Sequence, residues 1–147
     1  MTTIVTEAVI QSPAQAVFDY VTTPRHWLLW HPSSLGLSGV TEHSLQVGEE
    51  VTEAFRVAGR KGSVTWRATL REPPWRFAMA GSVVAGGSGT ISYVLADAGG
   101  ATAFRREFAY TMPNAFAALL DRLFVRRRIT AESAAAVRRL KHALENP

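Results

Sequence analysis

The sequence predicts an α+β fold in which a curved antiparallel sheet of about seven strands wraps on a long C-terminal helix, with two short helices after the first strand. Three observations predict it. A strand pattern and two short helical patterns open the chain, alternating apolar and polar segments fill residues 36–111, and a helical pattern continues from there to the end. We expect one face of the sheet to cover the apolar side of the helix.

Composition places the chain among ordinary globular proteins. Its 147 residues are 47% hydrophobic and 19% charged, and this length predicts one domain spanning residues 1–147. No cysteine is present, which excludes disulfides and cysteine-ligated zinc and favours a cytoplasmic location. The opening residues lack the features of a signal peptide, and no segment has the length and hydrophobicity of a membrane span. We therefore expect a soluble, cytoplasmic protein.

The opening of the chain predicts a strand and then two helices. Residues 5–10 are apolar and rich in β-branched side chains, and Ser12 and Pro13 follow as a helix N-cap and a first helical residue. After a break, residues 24–30 predict a second, short helix that ends before Pro32.

The middle of the chain predicts six strands in a meander. Turn residues separate the alternating segments at Gly48, at residues 59–62, at residues 73–74, at residues 86–87 and at residues 99–100. Turns this short join antiparallel neighbours, because a parallel pairing needs a crossover of about a dozen residues or more.

After Pro113 the pattern stays helical and predicts a helix of roughly thirty residues, about 45 Å long at 1.5 Å per residue. Its apolar positions form a stripe that we expect to face the concave side of the sheet. They are Phe116, Leu119, Leu120, Leu123, Phe124, Ala131, Ala134, Val137, Leu140 and Leu144. Arg126, Arg127 and Arg128 point in different directions around such a helix, so we expect a solvated face there and no nucleic-acid site.

The residues of these elements resemble a known family. They are residues 10–21 (IQSPAQAVFDYV), residues 27–32 (WLLWHP) and the tail 119–145, with DRLF at its start and LKHALE at its end. Together with the element order they are similar to the START-like (SRPBCC) helix-grip superfamily, particularly its polyketide cyclase/dehydrase-like branch. The resemblance implies a pocket between sheet, terminal helix and second short helix that binds a small hydrophobic molecule. It does not separate cyclases from lipid carriers or receptors, because such folds host all of these.

Alternation along the strands sorts side chains by face, since residues two apart share one. The inward set is Val64, Trp66, Ala68, Leu70, Trp75, Phe77, Met79, Ile91, Tyr93, Leu95, Phe104, Phe108 and Tyr110, and the outward set is Thr65, Arg67, Thr69, Arg71 and Arg76. Large apolar walls are typical of small-molecule sites. The alternative is that the same side chains fill an ordinary close-packed core.

Two charged residues interrupt the inward pattern. Glu53 shares a face with Phe55, and Arg106 shares one with Phe104 and Phe108. A buried charge is costly without a partner. Each residue is therefore a polar anchor for a ligand carboxylate, enolate or hydroxyl, a member of an inward salt bridge, or a residue displaced by a bulge.

If the protein is an enzyme, we assign catalytic roles to Arg106, which would stabilise enolate charge, and to His31 or Tyr93, which would move a proton. Catalysis would come chiefly from holding a flexible poly-carbonyl chain in a reactive conformation. The candidate ligand-binding residues are Trp27, Trp30, Glu53, Phe55, Trp66, Phe77, Met79, Tyr93, Phe108, Tyr110, Phe116 and Leu120. The alternatives are a non-catalytic lipid carrier or sensor and a protein-interaction module with a filled core.

The remaining motifs indicate no further chemistry. His26, His43 and His142 have no ligand spacing with His31, so we expect no metal and no cofactor. Residues 86–89 lie between strands and lack the lysine of a phosphate-binding loop, which indicates a hairpin turn. We expect a small hydrophobic molecule as partner, no nucleic acid, and a monomer or homodimer.

Overall fold

The computed structural model describes residues 1–57 and 59–147. In chain order the elements are β1 (Thr2–Ile10), α1 (Ala14–Thr22), a 3₁₀ turn (Pro24–His26), α2 (Trp27–Trp30), β2 (Ser34–Gly39), β3 (Glu50–Val57), β4 (Arg60–Glu72), β5 (Arg76–Val83), β6 (Ser88–Ala98), β7 (Ala101–Thr111), α3 (Ala115–Leu120), a π-helical turn (Asp121–Val125) and α4 (Arg126–Glu145). The predicted fold class is confirmed, including the opening strand and helices and the long terminal helix over residues 115–145.

The strands form one antiparallel sheet in the order β1-β7-β6-β5-β4-β3-β2. Strands β2 to β7 pair in succession, as the short turns predict, and β1 lies at the far edge, where Thr2 is opposite Tyr110. The connection from β1 to β2 therefore crosses the sheet from one edge to the other. Helices α1 and α2 lie along this crossing, where α1 contacts β6 and β7 and α2 contacts α4.

Helix α1 begins one residue later than the sequence predicts. Pro13 has an extended backbone with ψ at 149°, and its carbonyl accepts a hydrogen bond from the Val17 N–H at 3.1 Å. Pro13 is therefore the N-cap, and the N-cap role expected of Ser12 is wrong. The Ser12 carbonyl instead accepts a hydrogen bond from Thr102 Oγ1 at 2.7 Å, which ties the loop to β7.

A bulge in β4 changes the face of two residues. Thr69 is an extra residue between the pairs that Ala68 and Leu70 make with β5. Beyond it, Arg71 pairs with Phe77 on the concave side and Leu70 faces outwards. The orientations predicted for Leu70 and Arg71 are therefore wrong, because the bulge adds one residue to a period of two.

Apart from these two and Trp75, strand alternation predicts the concave face correctly. Trp75 precedes β5 in the turn that follows Pro74, and its side chain is 44% exposed. The other inward residues are buried or partly buried, namely Val64, Trp66, Ala68, Phe77, Met79, Ile91, Tyr93, Leu95, Phe104, Phe108 and Tyr110.

The terminal helix buries part of its expected side, and only in α4, where Ala131 of the predicted stripe is nevertheless exposed. There Val137 and Leu140 are buried, together with Ile129, Ser133 and Ala136. Before α4, Phe116, Leu119, Leu123 and Phe124 are between 50% and 70% exposed, so the expectation that these four face the sheet is wrong. The π-helical turn adds a residue to one helical turn and thereby shifts the stripe. Ala117, Leu120 and Val125 line the concave side instead.

The concave face has two halves that are filled differently. In the packed half, the side chains of Phe77, Tyr93, Leu95 and Phe104 belong to one core with Phe18, Trp30, Val137 and Leu140. In the open half, Phe55, Ile91, Phe108 and Tyr110 line an empty space beneath the beginning of the terminal helix. Among the described residues, no helix has the length and apolar character needed to span a membrane.

Candidate functional site

The open half encloses a cavity of about 400 Å³. Its floor includes Phe55, Val64 and Phe108 of the sheet, and its roof is formed by Leu120, Val125 and Ile129 of the terminal helix. The β5–β6 turn, at residues 85–87, and the segment before α3, at residues 112–113, border the far end. This volume lies in the range of small-molecule sites.

Glycines opposite aromatic residues shape the floor of the cavity. Phe55 pairs with Gly62 across β3 and β4, and Trp66 pairs with Gly81 across β4 and β5. A Cβ added at Gly62 would lie 2.5 Å from Phe55 Cζ, and one added at Gly81 would lie 2.6 Å from Trp66 Cε3. Both rings therefore lie flat over the neighbouring strand, which leaves the space above them free.

The cavity ends on a buried arginine at the border with the packed half. Arg106 of β7 is 1% exposed. Its Nη1 donates to Ser133 Oγ at 3.2 Å, and its Nη2 donates to His31 Nε2 at 3.0 Å. Within the described part of the chain its Nε is buried without a hydrogen-bond partner. Burial lowers the pKa of Arg106, but from so high a starting value that the guanidinium keeps its charge.

His31 is an acceptor held in place from both sides. An arginine can only donate, so the hydrogen bond from Arg106 leaves the ring proton on Nδ1, which donates to Ser33 Oγ at 2.8 Å. Burial and, secondarily, the positive charge of Arg106 lower the pKa of His31 to about 3. His31 is therefore neutral at pH 7, and its lone pair is already engaged.

Glu53 lies on the opposite wall of the cavity. Its Oε1 accepts a hydrogen bond from Trp66 Nε1 at 3.0 Å. Burial raises the pKa of Glu53, although the Trp66 hydrogen bond and the Arg106 charge oppose this shift. Among the described residues, no carboxylate oxygen lies within 4.0 Å of a nitrogen of the Arg106 guanidinium. The inward salt bridge considered for these two residues is therefore not formed.

Tyr93 lies directly opposite Arg106 in the β6–β7 pairing, but within the packed half. Its ring stacks on Phe77 with centroids 5.9 Å apart, and Phe104 and Trp30 pack on it as well. Burial, as the largest effect, raises the pKa of Tyr93 to about 12. Its hydroxyl therefore stays protonated at neutral pH.

The structure brings eight of the predicted site residues together on the cavity wall. They are His31, Glu53, Phe55, Trp66, Arg106, Phe108, Tyr110 and Leu120. Five others, Trp27, Trp30, Phe77, Met79 and Tyr93, are buried in the packed half and do not line the cavity. Phe116 is 70% exposed, because the terminal helix turns this position towards solvent. These six residues therefore lie outside the cavity wall.

Three polar residues that hydrogen-bond to residues of the cavity wall are missed by the sequence analysis. Ser33 contacts His31, and Ser133 contacts Arg106. Asp121 is 2% exposed and accepts hydrogen bonds from Tyr110 Oη at 2.6 Å and from Thr2 Oγ1 at 2.8 Å. Its position as an acid inside an apolar helical run is the signal that points to it, since a buried carboxylate requires partners.

A second depression, of about 520 Å³, lies on the convex face of the sheet. Thr65, Thr90 and the exposed Glu50 and Arg67 are among its lining residues. It presents no buried charge, so the concave cavity is the stronger candidate. The described residues bring together no group of three or more potential metal-ligating side chains.

The fold is similar to that of several solved structures. Protein CV1439 from Chromobacterium violaceum has 16% identity and a TM-score of 0.77, with 99% of this chain and 98% of that chain covered. TTHA0849 from Thermus thermophilus has 15% identity and a TM-score of 0.78, with 97% of both chains covered. DynU16, from the dynemicin biosynthetic locus, has 18% identity and a TM-score of 0.69, with 98% of this chain and 47% of that chain covered.

A comparison with protein families gives a match over nearly the whole chain. Residues 1–145 match the model of a family described as polyketide cyclase/dehydrase and lipid transport. No curated protein matches the sequence.

Proposed function

Because the chain belongs to the polyketide cyclase/dehydrase and lipid transport family, we propose that it binds a small hydrophobic molecule between the open half of the sheet and the terminal helix. The observation that carries this proposal is the apolar cavity of about 400 Å³. Removing apolar ligand surface from water there, at about 25 cal/mol per Å², provides the driving force.

Different residues of the cavity wall would contact the apolar and the polar parts of such a ligand. Phe55, Phe108 and Leu120 would contact its apolar body, with Trp66 and Tyr110 beside them. Arg106, His31 and Glu53 would contact its polar group. A few convergent polar groups in an apolar pocket fix the orientation of a ligand.

Holding the molecule without converting it is the function that the geometry supports best. The His31 lone pair accepts a hydrogen bond from Arg106. Tyr93 does not line the cavity, has Arg106 as a side-chain hydrogen-bond partner and has a pKa of about 12. Neither group is placed to exchange a proton with a ligand. These observations favour a carrier or sensor.

A cyclase-type or dehydrase-type activity is the second candidate. The observation that favours it is the buried guanidinium of Arg106 at the end of the cavity. A fixed cation in a dry site stabilises developing enolate charge. Conversion of an extracted ligand on incubation with fresh protein would support this candidate over the carrier.

We also propose a cellular location, a domain organisation and an oligomeric state. The absence of cysteine favours the cytoplasm, and we propose that the chain acts there as one domain, as a monomer or homodimer.

Filling the cavity tests the proposal. Ala117 lines the cavity, whereas its neighbour Ala118 is exposed and does not. We expect Ala117→Phe to abolish binding of the neutral fluorescent probe N-phenyl-1-naphthylamine, and Ala118→Phe, which makes the same chemical change one position away, to bind as the wild type does.

Native mass spectrometry of freshly purified protein followed by organic extraction provides a second readout. We expect a co-purifying apolar molecule in wild type and Ala118→Phe, and none in Ala117→Phe. Wild-type protein that carries no molecule and takes up no probe would refute the proposal and favour an interaction module.

A further inference from the structure

We infer that the cavity selects hydrophobic carboxylates over neutral molecules of the same size, with the carboxylate bound by Arg106. This inference rests on the proposed function and adds the charge of the ligand to it. It follows from the balance of charge at the closed end of the cavity.

The guanidinium of Arg106 is buried with little compensation. It has five N–H donors. It donates hydrogen bonds to Ser133 and His31, and the side chain of Tyr93, opposite it on β6, is a further hydrogen-bond partner. All three partners are neutral. The Phe108 ring, whose centroid lies 5.6 Å from Cζ of Arg106, also contacts it. A charge buried in this way costs several kcal/mol unless an anion pairs with it.

The acids of the protein near this point are engaged elsewhere. Glu53 accepts a hydrogen bond from Trp66 and lies beyond ion-pair distance of Arg106, although its charge still raises the pKa of Arg106 from there. Asp121, the other buried acid of the region, binds Tyr110 and Thr2, and its Oδ2 lies 3.5 Å from Nη2 of Arg126. A ligand carboxylate would therefore supply the ion pair that Arg106 does not form with the described residues.

Arg71 is a second arginine on the concave side, and its surroundings can be compared with those of Arg106. It also faces the concave side, with its guanidinium 5.5 Å from the Phe18 ring centroid, and it donates to Ser44 Oγ at 3.3 Å. Its Nε, like that of Arg106, is buried without a hydrogen-bond partner among the described residues. Its side chain as a whole is only partly buried, however, and it does not line the cavity. Arg106 is 1% exposed and lines the cavity, so a ligand anion in the cavity would meet Arg106 and not Arg71.

The rim of the cavity carries the same sign of charge. Arg60 and Lys61 line it and are exposed. With Arg106 they give the wall three cations against one acid, Glu53. Cations at a mouth raise the local concentration of anions and speed their entry. A carboxylate suits the inner site because guanidinium and carboxylate form parallel, charge-assisted hydrogen bonds.

The test compares decanoate with 1-decanol, which share one alkyl chain length and differ in charge. Each is titrated against wild-type protein loaded with N-phenyl-1-naphthylamine at pH 7.5, and displacement is measured. The inference predicts that decanoate binds at least about tenfold more tightly than decanol, a difference typical of one charge-assisted hydrogen bond. Equal affinities would overturn the inference and leave the proposed function intact, whereas failure of both ligands and of the probe to bind would refute both.

Variants assign the preference to one residue. Arg106→Gln is expected to lose the preference for decanoate, so that it binds decanoate and decanol with similar affinity. Arg106→Lys keeps the charge and is expected to retain part of the preference. The rim variant Arg60→Gln is expected to leave the ratio within about threefold of wild type, because a solvent-exposed charge contributes little to affinity. A preference that survives Arg106→Gln, or one lost equally in Arg60→Gln, would overturn the assignment.

Discussion

The two halves of the concave face are built from the same strands and differ in what covers them. The packed half receives side chains from three helices: Phe18 comes from α1, Trp30 from α2, and Leu140 from α4. Phe18 meets Phe77 edge-to-face with ring centroids 6.4 Å apart. The open half lies under the first part of the terminal helix, which contributes Ala117, Leu120, Val125 and Ile129 there. Four larger apolar side chains of the same segment point to solvent, namely Phe116, Leu119, Leu123 and Phe124. The covering elements, and not the strands, decide where the protein is hollow.

Arg106 lies where the two halves meet. The residue paired with it on β6 is Tyr93 of the packed half. Phe108, two residues further along β7, belongs to the open half. The comparison therefore predicts that substitutions in the packed half lower the free energy of unfolding as they do in any close-packed core. Substitutions in the open half should lower it less.

The largest expected effect is the difference in stability loss between alanine substitutions at Phe77 and at Phe55. Phe77→Ala removes a fully buried ring and leaves an enclosed void, so we expect a loss of about 4 kcal/mol in the free energy of unfolding. Phe55 is half-buried beside an existing cavity, and we expect Phe55→Ala to cost about 1 kcal/mol. Urea denaturation followed by circular dichroism measures both. Equal losses would show that the halves do not differ in packing.

The second effect concerns His31 and pH. Its pKa is about 3 in the folded protein against 6.5 without the fold, so the unfolded chain binds a proton that the native state does not. Stability therefore falls as pH falls from 6.5 towards 3, and between pH 7 and 5 His31 accounts for up to about 2 kcal/mol of the loss.

His31→Gln keeps an acceptor for Arg106 and cannot titrate. We expect its stability to decline less than that of the wild type between pH 7 and 5, as measured by urea denaturation at each pH. Glu53, whose pKa is raised by burial, changes stability in the opposite direction and is present in both proteins. Identical pH profiles would contradict the assignment of His31 as a neutral, buried acceptor.

The smallest effect compares two glycines. An added Cβ would contact the Trp66 ring at Gly81 and the Phe55 ring at Gly62. Trp66 is buried, so we expect Gly81→Ala to cost about 2 kcal/mol through overpacking. The Phe55 ring has room to move into the cavity, so we expect Gly62→Ala to cost less than about 1 kcal/mol. Gly36→Ala, where nothing lies within 4 Å, is the control, and a thermal shift series measures all three.

Local patterns predict the elements because the physics that forms them is local. Period-2 alternation and short turns determine the antiparallel meander, and they correctly place Arg106 and Glu53 on the concave face. The errors at Leu70 and Arg71 come from the single extra residue Thr69, which leaves no mark in the alternation.

Longer-range features of the site are less accessible from sequence. The π-helical turn at Asp121–Val125 shifts the apolar stripe, and only the buried partners of Asp121 explain why that residue lies inside. The filling of one half by Phe18 and Trp30 depends on how α1 and α2 cross the sheet. Tertiary packing of this kind separated Tyr93 from the cavity, although alternation places it on the same face as Arg106.

Isoleucine methyl groups report on both halves at once. The isoleucines are Ile4, Ile10, Ile91 and Ile129. Ile91 and Ile129 line the cavity, whereas Ile10 is fully buried in the packed half. A titration of isoleucine-labelled protein with 1-decanol, followed by methyl NMR, should shift the Ile91 and Ile129 signals saturably at one equivalent and leave Ile10 unchanged. Signals that do not move, or a shift at Ile10 as large as at Ile129, would contradict a single hollow half that binds hydrophobic molecules.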